Sequence, residues 1–221
     1  MQALYPFLYV DARADLDAVL AEVSRSTAAK AAEIVALRRS VLEDEGDRLA
    51  RCAAAMAGRF AAGGRLYTFG NGGSSTDAAE VATTFLHPPR GRALPALSLA
   101  ADIAVVTALS NDIGFEVVFA RQLAAFGRRG DIALGLSTSG GSANVIRAFE
   151  EANRRGMLTV GLAGYAGGAM AELDAIDHLF VIPSPSVHRI QEAQTTVYHV
   201  LWELTQRALA AMDQRSATAE V

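Results

Sequence analysis

The apolar and polar positions of this chain follow two different rhythms. Between residues 12 and 62 the sequence is rich in Ala, Leu, Glu and Arg and contains no Pro. Apolar residues such as Ala32, Ile34, Val35, Leu37, Val41 and Leu42 recur there at helical spacing. The pattern predicts two long helices that break near Asp44-Glu45-Gly46-Asp47 and close at Gly63-Gly64. Beyond that point the rhythm shortens. Near-continuous apolar blocks at 66–69, 96–99, 132–136, 158–162 and 179–182 read as strands covered on both faces. Helical patterns alternate with them at about 75–86, 102–109, 114–127, 142–155 and 187–211. The expected fold is therefore α/β, a parallel sheet with right-handed crossovers flanked by helices. Residues 1–64 form a helical segment of the same domain, 65–212 the α/β body, and 213–221 a polar, fraying tail. The N-terminal helices precede the first strand and are not crossovers. Their apolar faces need a partner; a second copy of the chain is the expected one, the alternative being the edge of the chain's own sheet.

Composition narrows the function. With 221 residues, 51% of them hydrophobic, the chain suffices for one sizeable core. A net charge of −4 offers no bulk attraction to nucleic acid or to an anionic membrane. The single cysteine, Cys52, excludes an internal disulfide and a cysteine-based zinc cluster, and its Ala-rich surroundings predict a buried thiol. The opening MQALYPFLYV lacks the basic region of a signal peptide, and no apolar run reaches membrane-spanning length. A cytoplasmic protein is expected.

Two predicted strand ends carry small hydroxyl and glycine residues. The first is Gly70-Asn71-Gly72-Gly73-Ser74-Ser75-Thr76-Asp77; the second is Ser137-Thr138-Ser139-Gly140-Gly141-Ser142. Each precedes a helix. Backbone N–H groups at a helix start, with no bulky Cβ in the way, suit a phosphate. Neither turn has the Gly-Lys-Ser/Thr of a nucleotide triphosphatase or the third glycine of a dinucleotide site. Hydroxyls in place of lysine favour a phosphate monoester.

The second turn with its continuation, Ser137-Thr138-Ser139-Gly140-Gly141-Ser142-Ala143-Asn144-Val145-Ile146, resembles the phosphosugar-binding signature of SIS (sugar isomerase) domains. Gly70-Asn71-Gly72-Gly73-Ser74, Ser110-Asn111-Asp112-Ile113-Gly114-Phe115 and Arg189-Ile190-Gln191-Glu192 extend the resemblance to phosphoheptose isomerases, over about residues 15 to 210. The resemblance implies a cytoplasmic SIS-type fold, with a five-stranded parallel sheet and N-terminal helices packed in a homotetramer. It implies a sugar-phosphate ligand, with sedoheptulose 7-phosphate and an aldoheptose 7-phosphate interconverted. Asn71, Gly72, Gly73, Asn111 and Asp112 would contact substrate, joined by Ser74 of the first turn. Ser137, Thr138, Ser139 and Ser142 would hold the phosphate, and Gln191 and His199 would meet the reacting end.

Isomerisation through an enediol needs a base for the carbon-bound proton, an acid for the hydroxyl proton and stabilisation of an oxyanion. His199 lies eight residues, about two helical turns, after Gln191, which puts both on one face. Flanked by Tyr198 and Val200, it also reads as a core histidine. The related enzymes carry a His and, four residues on, a catalytic Glu after the first turn; here those positions hold Glu80 and Thr84. Thr84 is no base, and Glu80 stands one turn away. Three readings stay open. Glu80 serves as the base; His199 works with Asp112 or Glu192; or the chain is a non-catalytic SIS protein that binds a sugar phosphate or a partner protein, as replication-initiator-binding relatives do. Some relatives bind zinc. Glu80, Gln191 and His199 are the candidate ligands here, two of the four expected positions being changed. His188 replaces a more usual acidic residue, and Arg90 or Arg92 stands near an expected basic position.

Overall fold

The computed structural model describes residues 16–219; the opening segment read above for targeting lies outside them. The first element is one helix, α1, Leu16–Ala61, of 46 residues. It does not break near residue 46. Arg48 explains why: its Nη1 bonds the Glu45 carboxylate at 2.7 Å, its Nη2 donates to the Leu179 carbonyl at 2.6 Å, and its guanidinium lies 5.5 Å over the Phe180 ring. The charged cluster that looks like a helix break is a tether, and it offsets the roughly 1 kcal/mol that a mid-helix glycine costs relative to Ala.

The described residues divide between Leu37 and Arg38 into two compact units. In the first, Lys30 Nζ donates to Ser26 Oγ at 2.7 Å, Arg25 pairs with Glu22, and Val19, Leu20, Val23 and Val35 are exposed. In the second, α1 buries Val41, Leu49, Cys52, Ala53, Met56, Ala57 and Phe60. Burial pushes the Cys52 thiol up to about 12, so it stays protonated and inert, as its surroundings predict.

Five parallel strands follow: β1 Leu66–Gly70, β2 Ala96–Ser98, β3 Ile132–Ser137, β4 Leu158–Gly164 and β5 His178–Ile182, in the order β2-β1-β3-β4-β5. The connecting helices are α2 Gly73–Leu86, α3 Ile103–Asp112, α4 Val118–Phe126 and α5 Ala143–Arg154, and α6 Val187–Ala219 closes the chain. The single helix expected at 114–127 is instead a short 3-10 turn, Phe115–Val117, followed by α4. Gly114, at φ 134, ends the run from α3. The last helix runs to Ala219, beyond the point where the polar composition suggested fraying.

β1, β3 and β4 are buried along their whole length, which accounts for their unbroken apolar sequences. Side chains alternate between the faces. Tyr67 and Phe69 face α4 and α5, where Phe69 packs 5.6 Å from Phe119 and 5.2 Å from Phe149. Thr68 faces α2 and donates its hydroxyl to the Ala78 carbonyl at 2.6 Å. Among the described residues, no helix is long and apolar enough to cross a membrane.

The 137–142 turn is pressed against the 3-10 turn Gly168–Glu172. Met170 N–H donates to the Gly140 carbonyl at 2.9 Å, and a Cβ on Gly140, whose φ is +64, would lie 1.9 Å from the Gly167 oxygen. Gly140→Ala is expected to lose about 2–3 kcal/mol of unfolding free energy, read as a lower guanidinium midpoint. Gly141→Ala, whose Cβ would meet nothing nearer than Ser139 Oγ at 3.8 Å, should lose less than about 1 kcal/mol.

Candidate active site

The direction of winding reverses between β1 and β3, which are neighbours in the sheet. The helices that follow them, α2 and α5, leave on opposite faces, so a crevice opens at the carboxyl ends of the two strands. Both serine- and glycine-rich turns lie on it. Two amides join them: Asn71 Nδ2 donates to Asn144 Oδ1 at 2.8 Å, and Asn144 Nδ2 returns a bond to Asn71 Oδ1 at 2.9 Å. Beside this pair lies a cavity of about 430 Å³ lined by Asn71, Gly114, Phe115, Glu116, Ser142 and Asn144 among others.

The hydroxyls of the second turn cluster. Ser137 Oγ, buried, lies 3.1 Å from Ser142 Oγ and 3.4 Å from Ser139 Oγ, and Ser139 Oγ accepts from Gly141 N–H. Each hydroxyl rotates freely between donating and accepting, so the cluster satisfies itself without a ligand and has protons to turn toward an anion. Ser142 is the N-cap of α5, yet its side chain makes no capping bond. The first N–H groups of that 12-residue helix are thus not capped by Ser142. The first turn also starts its helix uncapped, at Gly72.

On the other side of the first turn, α2 and α6 lie side by side. Gln191 covers Gly73 so closely that a Cβ there would stand 2.3 Å from Gln191 Nε2. The same amide donates to Asp77 Oδ2 at 3.2 Å. One turn further along α2, Glu80 Oε2 accepts from the Tyr198 hydroxyl at 2.8 Å, while Glu80 Oε1 faces His199 Nε2 at 3.6 Å. His199 Nδ1 lies 2.8 Å from the Thr195 carbonyl. A carbonyl only accepts, so Nδ1 carries a proton and Nε2 is left toward Glu80. Burial, aided by the Glu80 carboxylate, holds the Tyr198 phenol above its ordinary value, so it is the donor in that bond. Glu80 and His199 remain about half exposed and open to a ligand.

The structure thus brings Asn71, Gly73, Gln191, Glu80 and His199 into one continuous strip. Asn111 and Asp112 are both exposed at the end of α3, where Asn111 Nδ2 donates to Asp112 Oδ1. The neighbouring residues Phe115 and Glu116 line the cavity instead. His188 is exposed on the first turn of α6. Arg92 is turned toward Asp213 at 3.7 Å, and its backbone is clamped by Gln206, so its charge is spent far along α6. Sequence reasoning missed Asp77, Thr195 and Tyr198. Their signal was present: 191, 195, 198 and 199 make a helical stripe of polar-tipped residues, and 77 and 80 make a second.

The donors do not make a zinc site. Among the described residues no group of three or more His, Cys, Asp or Glu side chains is placed to hold a metal ion. One carboxylate, one imidazole and an amide already engaged with Asp77 fall short of the three good ligands that catalytic zinc takes.

Burial raises the Asp77 carboxyl above its ordinary 3.8; the Gln191 bond opposes the shift and the Glu80 charge adds to it. The native state therefore binds this proton more tightly than the unfolded chain, and Asp77's contribution to stability falls as pH climbs from about 3.8 through the raised native value. Asp77→Asn keeps an acceptor for Gln191 and removes that decline. Its Tm relative to wild type is expected to increase between about pH 3 and about pH 7 in a calorimetric series.

A sequence model of the SIS domain family matches residues 31–164. A phosphoheptose isomerase from Roseiflexus is 42% identical over 175 residues, which is 78% of this chain and 88% of the relative. The solved phosphoheptose isomerase of Neisseria gonorrhoeae superposes with a TM-score of 0.77 at 33% identity, covering 83% of this chain and 98% of that one. That of Francisella tularensis gives 0.79 at 28% identity, over 84% and 98%. With more than half of the chain matched by the family model and whole relatives matched nearly end to end, the chain belongs to the SIS domain family and, within it, to the phosphoheptose isomerase family.

Proposed function

We propose that this chain is an aldose–ketose isomerase of sugar phosphates, acting on sedoheptulose 7-phosphate and an aldoheptose 7-phosphate or a close analogue. The observation that carries the reading is the Glu80–His199 pair, set on the same strip as the 70–73 turn that Asn71 ties to the start of α5. In this reading the phosphate binds the hydroxyls of Ser137, Thr138, Ser139 and Ser142 and the N-terminus of α5. The sugar extends past Asn71 and Gly73 to Gln191 and the acid–base pair.

The geometry of the pair supports the following proton traffic. Glu80 takes the proton from the carbon beside the carbonyl, and the electron pair of that C–H bond becomes the C=C bond of the enediol. His199, entering this half as the imidazolium with a proton on each ring nitrogen, gives the Nε2 proton to the former carbonyl oxygen, and the Gln191 amide supports the charge that develops there. In the second half His199 takes back a proton from the neighbouring hydroxyl, a carbonyl forms on that carbon, and Glu80 returns its proton to the other one. The Thr195 carbonyl holds His199 in the tautomer that leaves Nε2 for this work.

A second reading rests on Thr84. The resemblance puts the catalytic carboxylate there, and this half-buried hydroxyl cannot serve as a base. Such a chain would bind the sugar phosphate as a sensor or as a scaffold for a partner protein.

Incubation with sedoheptulose 7-phosphate in deuterium oxide separates the two. Isomerisation incorporates deuterium at the carbon next to the carbonyl, seen by NMR. Glu80→Gln and His199→Ala are each expected to slow incorporation by about 100-fold or more. Saturable binding without incorporation supports the sensor instead. Ser139→Ala should raise KM severalfold with kcat nearly unchanged, the mark of a lost binding contact; a fall in kcat alone would remove Ser139 from the phosphate site.

A further inference from the structure

The reading of Glu80 as the base leaves a difficulty. The carboxylate sits on a side chain with three rotatable bonds, about half exposed, one turn away from the place held by Thr84. Near-attack geometry tolerates little wandering of such a group. Something must hold it.

We propose that Tyr198 is the positioning residue that aims the Glu80 carboxylate at His199 and the substrate. Tyr198 is itself immobile: 1% exposed, it is among the largest fully buried side chains of the protein. Its hydroxyl is the group that reaches Glu80 Oε2, at 2.8 Å. With that oxygen engaged, the remaining one, Oε1, turns to His199 Nε2. The ring of Tyr198 also stacks on the imidazole, with centroids 5.0 Å apart and planes at 30°. One residue thus bears on both partners, its oxygen on the base and its ring on the acid. Thr195 braces the arrangement from one turn below. Its carbonyl fixes the His199 tautomer, its hydroxyl donates to the Gln191 carbonyl at 3.0 Å, and that same oxygen lies 3.3 Å from the Tyr198 hydroxyl. Thr195, Tyr198 and His199 fall at i, i+3 and i+4, so the set is built on one helical face and needs no loop to assemble. A carboxylate accepting one fixed bond keeps one oxygen free for chemistry. Tyr198 touches neither carbon of the sugar in this scheme; it acts through Glu80.

This inference rests on the isomerase reading, and the test separates their failures. Tyr198→Phe removes one oxygen and keeps the packing. Expected are a kcat about tenfold lower, a KM within about twofold of wild type, and an unchanged melting temperature. In the Glu80→Gln background the same substitution should cost nothing further, because a residue acting through Glu80 has no effect once the base is gone. The ring ¹⁵N signals of His199, read at a single pH, should move in Tyr198→Phe, since the carboxylate facing Nε2 is released. If Tyr198→Phe leaves kcat intact while Glu80→Gln abolishes exchange, the role of Tyr198 is overturned and the isomerase reading stands. An equal loss in both backgrounds, or a rise in KM alone, overturns it as well. If wild-type protein shows no exchange, the isomerase reading falls, and the His199 signals still decide whether Tyr198 holds Glu80: unchanged signals overturn the placement, and moved signals support it.

Discussion

Two side-chain amides hold the centre of this protein. Asn71 and Asn144 exchange hydrogen bonds across the gap where β1 and β3 send their chains to opposite faces of the sheet. The winding alone opens a crevice there, but it does not set the spacing of its two rims. The reciprocal pair does. It ties the first glycine turn to the first turn of α5, so that a serine cluster and a helix N-terminus lie on the same opening as the residues of α2. Each amide gives one N–H bond and accepts one in return, which makes the link directional as well as close.

The second constraint is the contact between α2 and α6. Gln191 against Gly73 and Asp77, and Tyr198 against Glu80, join two helices distant in sequence into one wall beside the first glycine turn. A Cβ at 73 would displace the Gln191 amide, which occupies that space. The raised Asp77 carboxyl shows that this wall is assembled at some cost: an acidic group is partly removed from water to anchor the amide. Functional sites commonly carry such unfavourable local terms, and the buried aromatic cluster around Phe69 supplies a rigid base for them.

The residues of α2 depart from the pattern that the resemblance implies. The sheet, the turns and the overlap with solved phosphoheptose isomerases follow the family closely. Yet Glu80 and Thr84 stand where the resemblance places a His and a Glu, and the arrangement around Glu80 draws on Tyr198, a core residue by its burial. A helix offers this freedom because residues one turn apart share a face: a carboxylate displaced by one turn stays on the same side and needs only a new partner to hold it.

The hydrophobic pattern was enough to read the five strands, the alternation with helices and the turns that flank the crevice, because strands buried on both faces must be apolar throughout and turns before helices need small residues. The same local logic misread 44–48 as a break: a charged run with a glycine is polar in sequence, and only the approach of β5 turns Arg48 into a tether. The resemblance named Asn111 and Asp112, which lie exposed at the end of α3; that Phe115 and Glu116 line the cavity could be seen only in the fold. The motifs on one helix, Gln191 and His199, were legible because their spacing is intrinsic to the helix. The pairing of Glu80 with Tyr198 and His199 was not, since 118 residues separate the carboxylate from the phenol. Periodicity within an element is written in the chain; which faces of two elements meet is decided by packing, and on that meeting the proposed chemistry depends.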